Sequence, residues 1–339
     1  MLASMEVLVI GAGLAGLACA RRLQQRGHQV TLVDKGRSAG GRLATRRMGV
    51  SPFDTGAQFI SVRDADFAAV LQSAGAEVWC VGFPDLGHET ATDGHPRYRM
   101  PGGMNRLAKH LAQGLELRDQ HTVTALQVVS GRWQVTCTPG DVVRAGSVPT
   151  GPDVIIQADA VVLTAPAPQA VALLDQQGFT VPHAVRAVRY APCLCPLLDY
   201  PTAAVPLLSG VGAFRIVDDP AIGWIASQRA KGLRSNGDGI VVHATGTWSE
   251  AHYSWTDDRI RAALEPSALA VLARVGVLGL LQAVELKKWK YSLPLVTVPE
   301  ATVRIAAPLP LLLAGDAFGE RPRVEGAWLS GCAAADSLA

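Results

Sequence analysis

Residues 6 to 16 read Glu6-Val-Leu-Val-Ile10-Gly11-Ala-Gly13-Leu14-Ala15-Gly16, and the stretch that follows, Leu17 to Arg26, has helical composition. A short β-branched run therefore leads through a GxGxxG turn straight into a helix. The three glycines have separate tasks: Gly11 permits the tight turn, Gly13 lets the backbone approach a pyrophosphate, and Gly16 allows close helix–strand packing. The start of the helix adds N–H donors and the positive end of its dipole. Gln29 to Val33 then forms a second strand ending on Asp34, where a carboxylate can accept hydrogen bonds from ribose hydroxyls and repel a 2′-phosphate. Strand, loop, helix, strand and acid in this order predict a Rossmann-type α/β domain holding a dinucleotide, NAD or FAD.

The rest of the composition bounds the reading. At 339 residues and 49% hydrophobic the chain can bury a large core and is long enough for two domains. A net charge of +2, with 18% charged residues and no long Lys/Arg run, disfavours a nucleic-acid partner. The apolar N-terminal stretch has Glu6 where a signal peptide would be basic, and glycines break it, so it reads as folded structure. The most apolar later segment, Ala268 to Leu286, contains Arg274 and Gln282 and fits a buried helix better than a membrane span. A cytoplasmic protein without membrane contact is expected. Six cysteines with no CxxC make neither a disulfide framework nor a zinc site, so no metal is expected. In Cys193-Leu-Cys195-Pro-Leu, period two puts both thiols on one strand face, where they read as small buried hydrophobes.

Two further segments distinguish the dinucleotides. After Asp34 comes Lys35-Gly-Arg37-Ser-Ala-Gly40-Gly41-Arg42, whose paired glycines can bring backbone N–H groups near phosphate while Arg42 offers a charge-assisted fork. An ordinary NAD domain has no need of it. Near the other end, Leu311-Leu-Leu-Ala-Gly315-Asp316 is an apolar strand closing on a carboxylate that can accept hydrogen bonds from a polyol. Glu325-Gly326-Ala327-Trp328-Leu329-Ser-Gly331 opens the last helix, whose N-terminus favours negative charge on a ring edge.

This spaced set resembles the FAD-binding signature of the amine-oxidase-like flavoproteins, in which Glu commonly stands where this chain has Asp34. The resemblance implies a two-dinucleotide-binding fold with non-covalent FAD. Gly11, Gly13, Leu14, Ala15, Gly16, Asp34, Lys35, Gly41, Arg42 and Leu43 would hold the nucleotide end, with Val123 bringing backbone to the adenine. Ala57, Gln58 and Phe59, in Asp54-Thr-Gly-Ala-Gln-Phe, would pass close to the flavin ring, and Asp316, Glu325, Gly326, Ala327 and Leu329 would hold its ribityl and ring end.

Tyr98 to Met104 turns into a helix from Asn105 to Gln113, Leu115 to Thr138 alternates like a small β-meander, and Pro139 to Pro152 is a Gly- and Pro-rich loop. β runs at 193–199, 213–217, 222–227 and 239–245, with a helical stretch from about Asp257 to Leu281, suggest a mostly antiparallel substrate domain. The expected FAD-binding domain is 4–62, 99–168 and 302–339, interleaved with a substrate domain of 63–98 and 169–301.

Within that second domain Val241-Val-His243-Ala-Thr-Gly-Thr-Trp248-Ser-Glu-Ala-His252 and Lys288-Trp289-Lys-Tyr291 resemble segments of renalase and its bacterial relatives. A renalase-like chain would be an FAD-dependent oxidase acting on 2- or 6-dihydro isomers of NAD(P)H. It would return NAD(P)+ by hydride transfer to flavin N5, and dioxygen would reoxidise the flavin to give hydrogen peroxide. His243, Trp289 and Gln58 are then the candidate catalytic-site residues, while Trp248, His252 and Trp255 read as structural. Other features agree. Gly210-Val-Gly212 leads into a β run rather than a helix, so no second dinucleotide domain for NAD(P)H is evident, and neither GxSxG nor HExxH occurs. A dihydropyridine donor is electron-rich and has no acidic proton to lose, so positioning does most of the work. Two alternatives stand beside this one: a flavin amine oxidase or desaturase acting on an amine or polyene, and a flavin-binding protein without turnover.

Overall fold

The computed structural model describes residues 4–87, 93–141, 148–200, 211–234, 237–277 and 279–338. Its contacts divide the chain into two units, Met1–Gly41 with Ala108–Arg189 and Pro294–Ala339, and Arg42–Leu107 with Tyr190–Leu293.

In the first unit the Gly-loop strand, Glu6–Ile10, lies inside a six-stranded sheet whose order is 303–304, 311–313, 160–163, 6–10, 29–33, 116–118. Both neighbours run parallel to it, with Val9 opposite Leu32 on one side and Val162 on the other. Val7, Leu8, Val9 and Ala160 to Leu163 are all buried, and a parallel sheet covered on both faces requires such continuous apolar runs. Val303–Arg304 is antiparallel to its neighbour. The helices Leu14–Gln25 and Val324–Asp336 meet through small residues: a Cβ on Gly331 would stand 2.1 Å from the Ala15 carbonyl oxygen. A three-stranded antiparallel sheet, His121–Val129, Arg132–Pro139 and Val154–Ala158, completes the unit. The meander expected from Leu115 is therefore shorter. Glu116–Arg118 joins the parallel sheet beside Gln29–Val33, because Gln120, at φ +53°, turns the chain before the hairpin starts.

The second unit holds a five-stranded sheet in the order 213–215, 222–227, 238–244, 189–200, 283–296, antiparallel across its first four strands. One face packs Leu194, Leu198, Ile222, Ile225, Ile240 and Val242 against Ile260, Leu264, Ala268 and Leu272 of the Asp257–Arg274 helix. Thr256 caps that helix by accepting from the Arg259 N–H. The helix stops at Arg274, short of Leu281, and the apolar stretch to Leu286 is not one helix. Gly276 is left-handed at φ +81°, and the chain re-enters the sheet at Ala283. The strand expected over 213–217 likewise ends at Arg215.

Cys193 and Cys195 share a sheet face with Met48, Phe53, Leu197 and Val241, and the six cysteines are free. Because Phe53 packs there, residues 42–62 and 99–107 group by contact with this sheet rather than with the dinucleotide unit. Gly210 and residues 142–147 lie outside the described residues. Among the described residues no helix is long and apolar enough to cross a membrane and no cluster of metal-binding side chains occurs.

Candidate functional site

The Gly-loop is shaped by close approaches. Gly11 has φ +108°, and a Cβ on Gly16 would stand 1.8 Å from the Gly11 carbonyl oxygen, so the helix can begin there only without a side chain. Gly13 faces open space. It caps the Leu14–Gln25 helix, which has no side-chain cap and no acidic residue in its first turn. Its leading N–H groups suit a phosphate. The Lys35–Gly41 segment folds back onto the loop: Gly40 N–H donates to the Ala12 carbonyl at 2.8 Å, and a Cβ on Gly41 would lie 3.4 Å from the Gly13 Cα.

Asp34 accepts from the Ala12 N–H at 2.7 Å and from the Gly36 N–H at 2.6 Å. Burial raises its carboxyl pKa against the pull of these two bonds. Each oxygen keeps a second lone pair for a ribose hydroxyl. Lys35 pairs with Asp141 at 3.5 Å, and Val123 sits beside a bulge in its strand. At the other end of the unit Gly315 N–H donates to Ser330 Oγ at 2.8 Å, fixing the turn that presents the nearly buried Asp316. Glu325 and Gly326 are buried in the first turn of the last helix, while Ala327 and Leu329 are partly exposed. The open Gly13 face and the uncapped helix start fit FAD.

In the second unit one short segment, Asp54-Thr55-Gly56, gathers the rest. Asp54 is fully buried. Its Oδ1 accepts from Thr45 Oγ1 at 2.6 Å and from the Met104 N–H at 2.8 Å, and its Oδ2 lies 2.6 Å from Lys231 Nζ. Its own N–H donates to Gln228 Oε1 at 2.9 Å. Trp289 Nε1 donates to the Thr55 carbonyl at 2.7 Å. Gln58 Nε2 donates to the carbonyls of Asp54 at 2.5 Å and Gly56 at 3.1 Å, and lies 3.5 Å from His243 Nε2. His243, Trp289 and Gln58, scattered in sequence, thus converge on one backbone turn.

The electrostatics of this group are set by burial. Desolvation, reinforced by the Lys231 charge and opposed by the Thr55 backbone, pushes the His243 pKa down to about 4. The imidazole is neutral and can take the Gln58 N–H only on an unprotonated nitrogen. Burial also lowers the Lys231 pKa, with the Asp54 charge opposing it. Lys287 Nζ stands 4.4 Å over the Trp289 ring. Arg42 donates to the Tyr291 carbonyl at 3.2 Å and lies 5.6 Å over the Tyr190 ring, while its own carbonyl accepts from the Ala57 N–H at 2.9 Å. Leu43 is buried.

Beside Gln58, Phe59 belongs to a four-ring cluster with Phe83 (4.9 Å), Trp224 (6.0 Å) and, through Phe83, Trp79 (5.1 Å). Trp248 and His252 stack at 4.1 Å, and Trp255 meets His252 edge-on at 4.2 Å. Lys231, Thr45, Gln228 and Trp224 carry no motif in the sequence, and their positions emerge only with the fold.

Comparison with known proteins bears on the fold and the family. Residues 9–74 match an NAD(P)-binding Rossmann-like domain, and residues 86–339 match the flavin containing amine oxidoreductase family. The chain is 39% identical over 71 residues to a 4,4′-diapophytoene desaturase of Staphylococcus haemolyticus (strain JCSC1435), covering 21% of this chain and 14% of the desaturase. It is 44% identical over 70 residues to the putative flavin-containing monoamine oxidase AofH of Mycobacterium tuberculosis (strain ATCC 25618 / H37Rv), covering 20% of this chain and 15% of that protein. These matched stretches span only a small part of the relatives.

The fold is similar along the whole chain to a putative protoporphyrinogen oxidase from Exiguobacterium sp. 255-15, with TM-score 0.73 and 13% identity over 100% of this chain and 99% of that one. It is also similar to a triple mutant of putrescine oxidase redesigned at its cofactor site, with TM-score 0.68 and 13% identity over 99% and 98%. With most of its length matched by the family, the chain belongs to the flavin-containing amine oxidoreductases.

Proposed function

We propose that this protein is a renalase-type oxidase that converts 2- or 6-dihydro isomers of NAD(P)H to NAD(P)+, with dioxygen as the final acceptor. The observation that carries this reading is the state of the groups around Thr55. His243, its pKa pushed down to about 4 by burial, is a weak base, and the nearest carboxylate, Asp54, is locked by Lys231, Thr45 and the Met104 N–H. An ammonium donor must shed a proton before it can be oxidised, whereas a dihydropyridine has none to shed. When bound, FAD supplies a hydride acceptor at N5 and passes the electrons to dioxygen, giving hydrogen peroxide.

In this reading His243, Trp289 and Gln58 orient the flat ring. Arg42 and the Gly-loop hold the pyrophosphate, Asp34 the ribose, Val123 the adenine and Asp316 the ribityl chain. The first turn of the last helix supports charge on the reduced ring. The functional division is the interleaved one, with 4–62, 99–168 and 302–339 serving FAD and 63–98 and 169–301 serving the donor.

The Phe59–Phe83–Trp224–Trp79 cluster favours a second reading, an amine oxidase in which aromatic rings face an amine. An anaerobic screen separates the two. The 2- and 6-dihydro isomers should bleach the flavin, while putrescine and benzylamine should not, and each isomer oxidised in air should yield one hydrogen peroxide. Faster bleaching by an amine would install the second reading, and a flavin that no donor bleaches would leave a binding protein without turnover.

A further inference from the structure

On the second unit's sheet, the face opposite the long helix carries two buried polar atoms that find no partner among the described residues: Gln58 Oε1, an acceptor, and Trp224 Nε1, a donor. Buried polar groups are satisfied in the great majority of cases, so each orphan calls for an explanation. Their residues are neighbours. Trp224 is paired in register with His243 on the adjacent strand, Gln58 Nε2 lies 3.5 Å from the His243 ring nitrogen, and the Phe59 ring stands 6.0 Å from that of Trp224. The Gln58 amide cannot turn over to relieve its oxygen, because Nε2 is held by the carbonyls of Asp54 and Gly56. Tyr200 also has an unpartnered buried hydroxyl, but it lies in the core on the helix side of the sheet.

We propose that Gln58 Oε1 and Trp224 Nε1 together recognise an amide edge, an N–H beside a C=O, and that the donor's carboxamide supplies it. The amide N–H donates to Gln58 and the amide oxygen accepts from Trp224, while Trp289 and His243 border the ring. This assignment rests on the dihydronicotinamide reading and makes Trp224 a specificity-determining residue for it. The flavin's own pyrimidine edge offers the same chemistry, so the test has to tell the two sources apart.

The experiment titrates the FAD-loaded protein with three ring probes and follows the visible spectrum of the flavin. Nicotinamide offers both donor and acceptor, 3-acetylpyridine the acceptor alone, and 3-ethylpyridine neither. Wild-type protein should bind nicotinamide about three- to tenfold more tightly than 3-acetylpyridine, and 3-ethylpyridine more weakly again by a similar factor. Trp224→Phe keeps the ring and removes the N–H. It should weaken nicotinamide and 3-acetylpyridine by about three- to tenfold and leave 3-ethylpyridine and FAD retention unchanged.

Equal binding of the three probes by wild-type protein overturns the proposal, and that comparison needs no variant to fold. A Trp224→Phe protein that loses FAD on dilution but keeps its probe preferences assigns the pair to the flavin edge and overturns the substrate assignment. Nicotinamide preference without flavin reduction by any dihydro isomer would defeat the reaction proposed above while leaving the amide pair standing.

Discussion

His243 stands on the sheet face that carries Trp289 and Trp224, and its neutrality has consequences at two levels. Its pKa falls from 6.5 to about 4 on folding, so the unfolded chain takes up a proton that the native imidazole refuses. Stability should therefore fall as pH drops from about 6.5 to about 4, with a contribution of up to about 1.4 kcal/mol per pH unit, and should be untouched by this group above that window. Denaturation midpoints across that range should show a shallower slope for His243→Gln. In the reaction, an imidazole that stays neutral between about pH 6 and 8 gives a flat rate of anaerobic flavin reduction. His243→Ala and Trp289→Ala should slow that step without loss of FAD, since misplacing a ring by about 1 Å can cost on the order of a hundredfold. A steep stopped-flow titration abolished by His243→Ala would instead make the histidine an acid–base catalyst. Gln58, His243 and Trp289 were named as candidates through their likeness to a family, and the fold brings the three to one turn. Lys231, which tunes the histidine, was not, because an isolated lysine in Ala-Lys-Gly gives no sign that it will be buried against Asp54.

At the scale of elements, the turn after the Ser51–Asp54 strand is the joint on which the second unit's candidate site is built. Strand, hairpin partner and two distant loops meet at one carboxylate. Removing its counter-charge leaves a buried anion unpaired, so Lys231→Met should destabilise the protein by about 3–5 kcal/mol, and adding Asp54→Asn in the same chain should recover part of that loss. Chemical denaturation of both variants decides it, and a single variant within about 1 kcal/mol of wild type would show that the pair does not hold the turn. Elements with a strict local code were legible: the central parallel strands Glu6–Ile10, Ala160–Leu163 and Leu311–Leu313 as apolar runs, and the Gly-loop helix by its glycines. Boundaries set by one residue's backbone were less so. Val275 to Leu281 has helical composition, yet the left-handed Gly276 ends the helix first.

For the whole molecule, the first unit is assembled from three stretches of chain, and the last one brings the Leu311–Leu313 strand beside the 160–163 strand, one strand away from the Gly-loop strand, and the Val324–Asp336 helix onto the Gly-loop helix. The two ends of the sequence were readable as parts of one domain for this reason. The contact boundaries at 41 and 107 were not, since the burial of Phe53 against a sheet formed much later in the chain decides them.

Cofactor retention tests the side chains assigned to FAD. Thiol attachment of the flavin requires a thiolate, and burial pushes Cys193 up to about 12 and Cys80 and Cys137 up to about 11. Acid precipitation should therefore leave the yellow colour in the supernatant, and colour that stays with the pellet would contradict non-covalent binding. Arg42→Ala and Asp316→Ala should each weaken FAD binding about tenfold or more, the worth of one charge-assisted hydrogen bond. Because FAD binds the native chain and not the unfolded one, a tenfold loss at saturating FAD should lower stability by about 1.4 kcal/mol. Thermal unfolding at several FAD concentrations would show this as a smaller cofactor-induced rise in melting temperature for each variant. Full flavin occupancy after dilution, with an undiminished rise, would remove both side chains from the cofactor site.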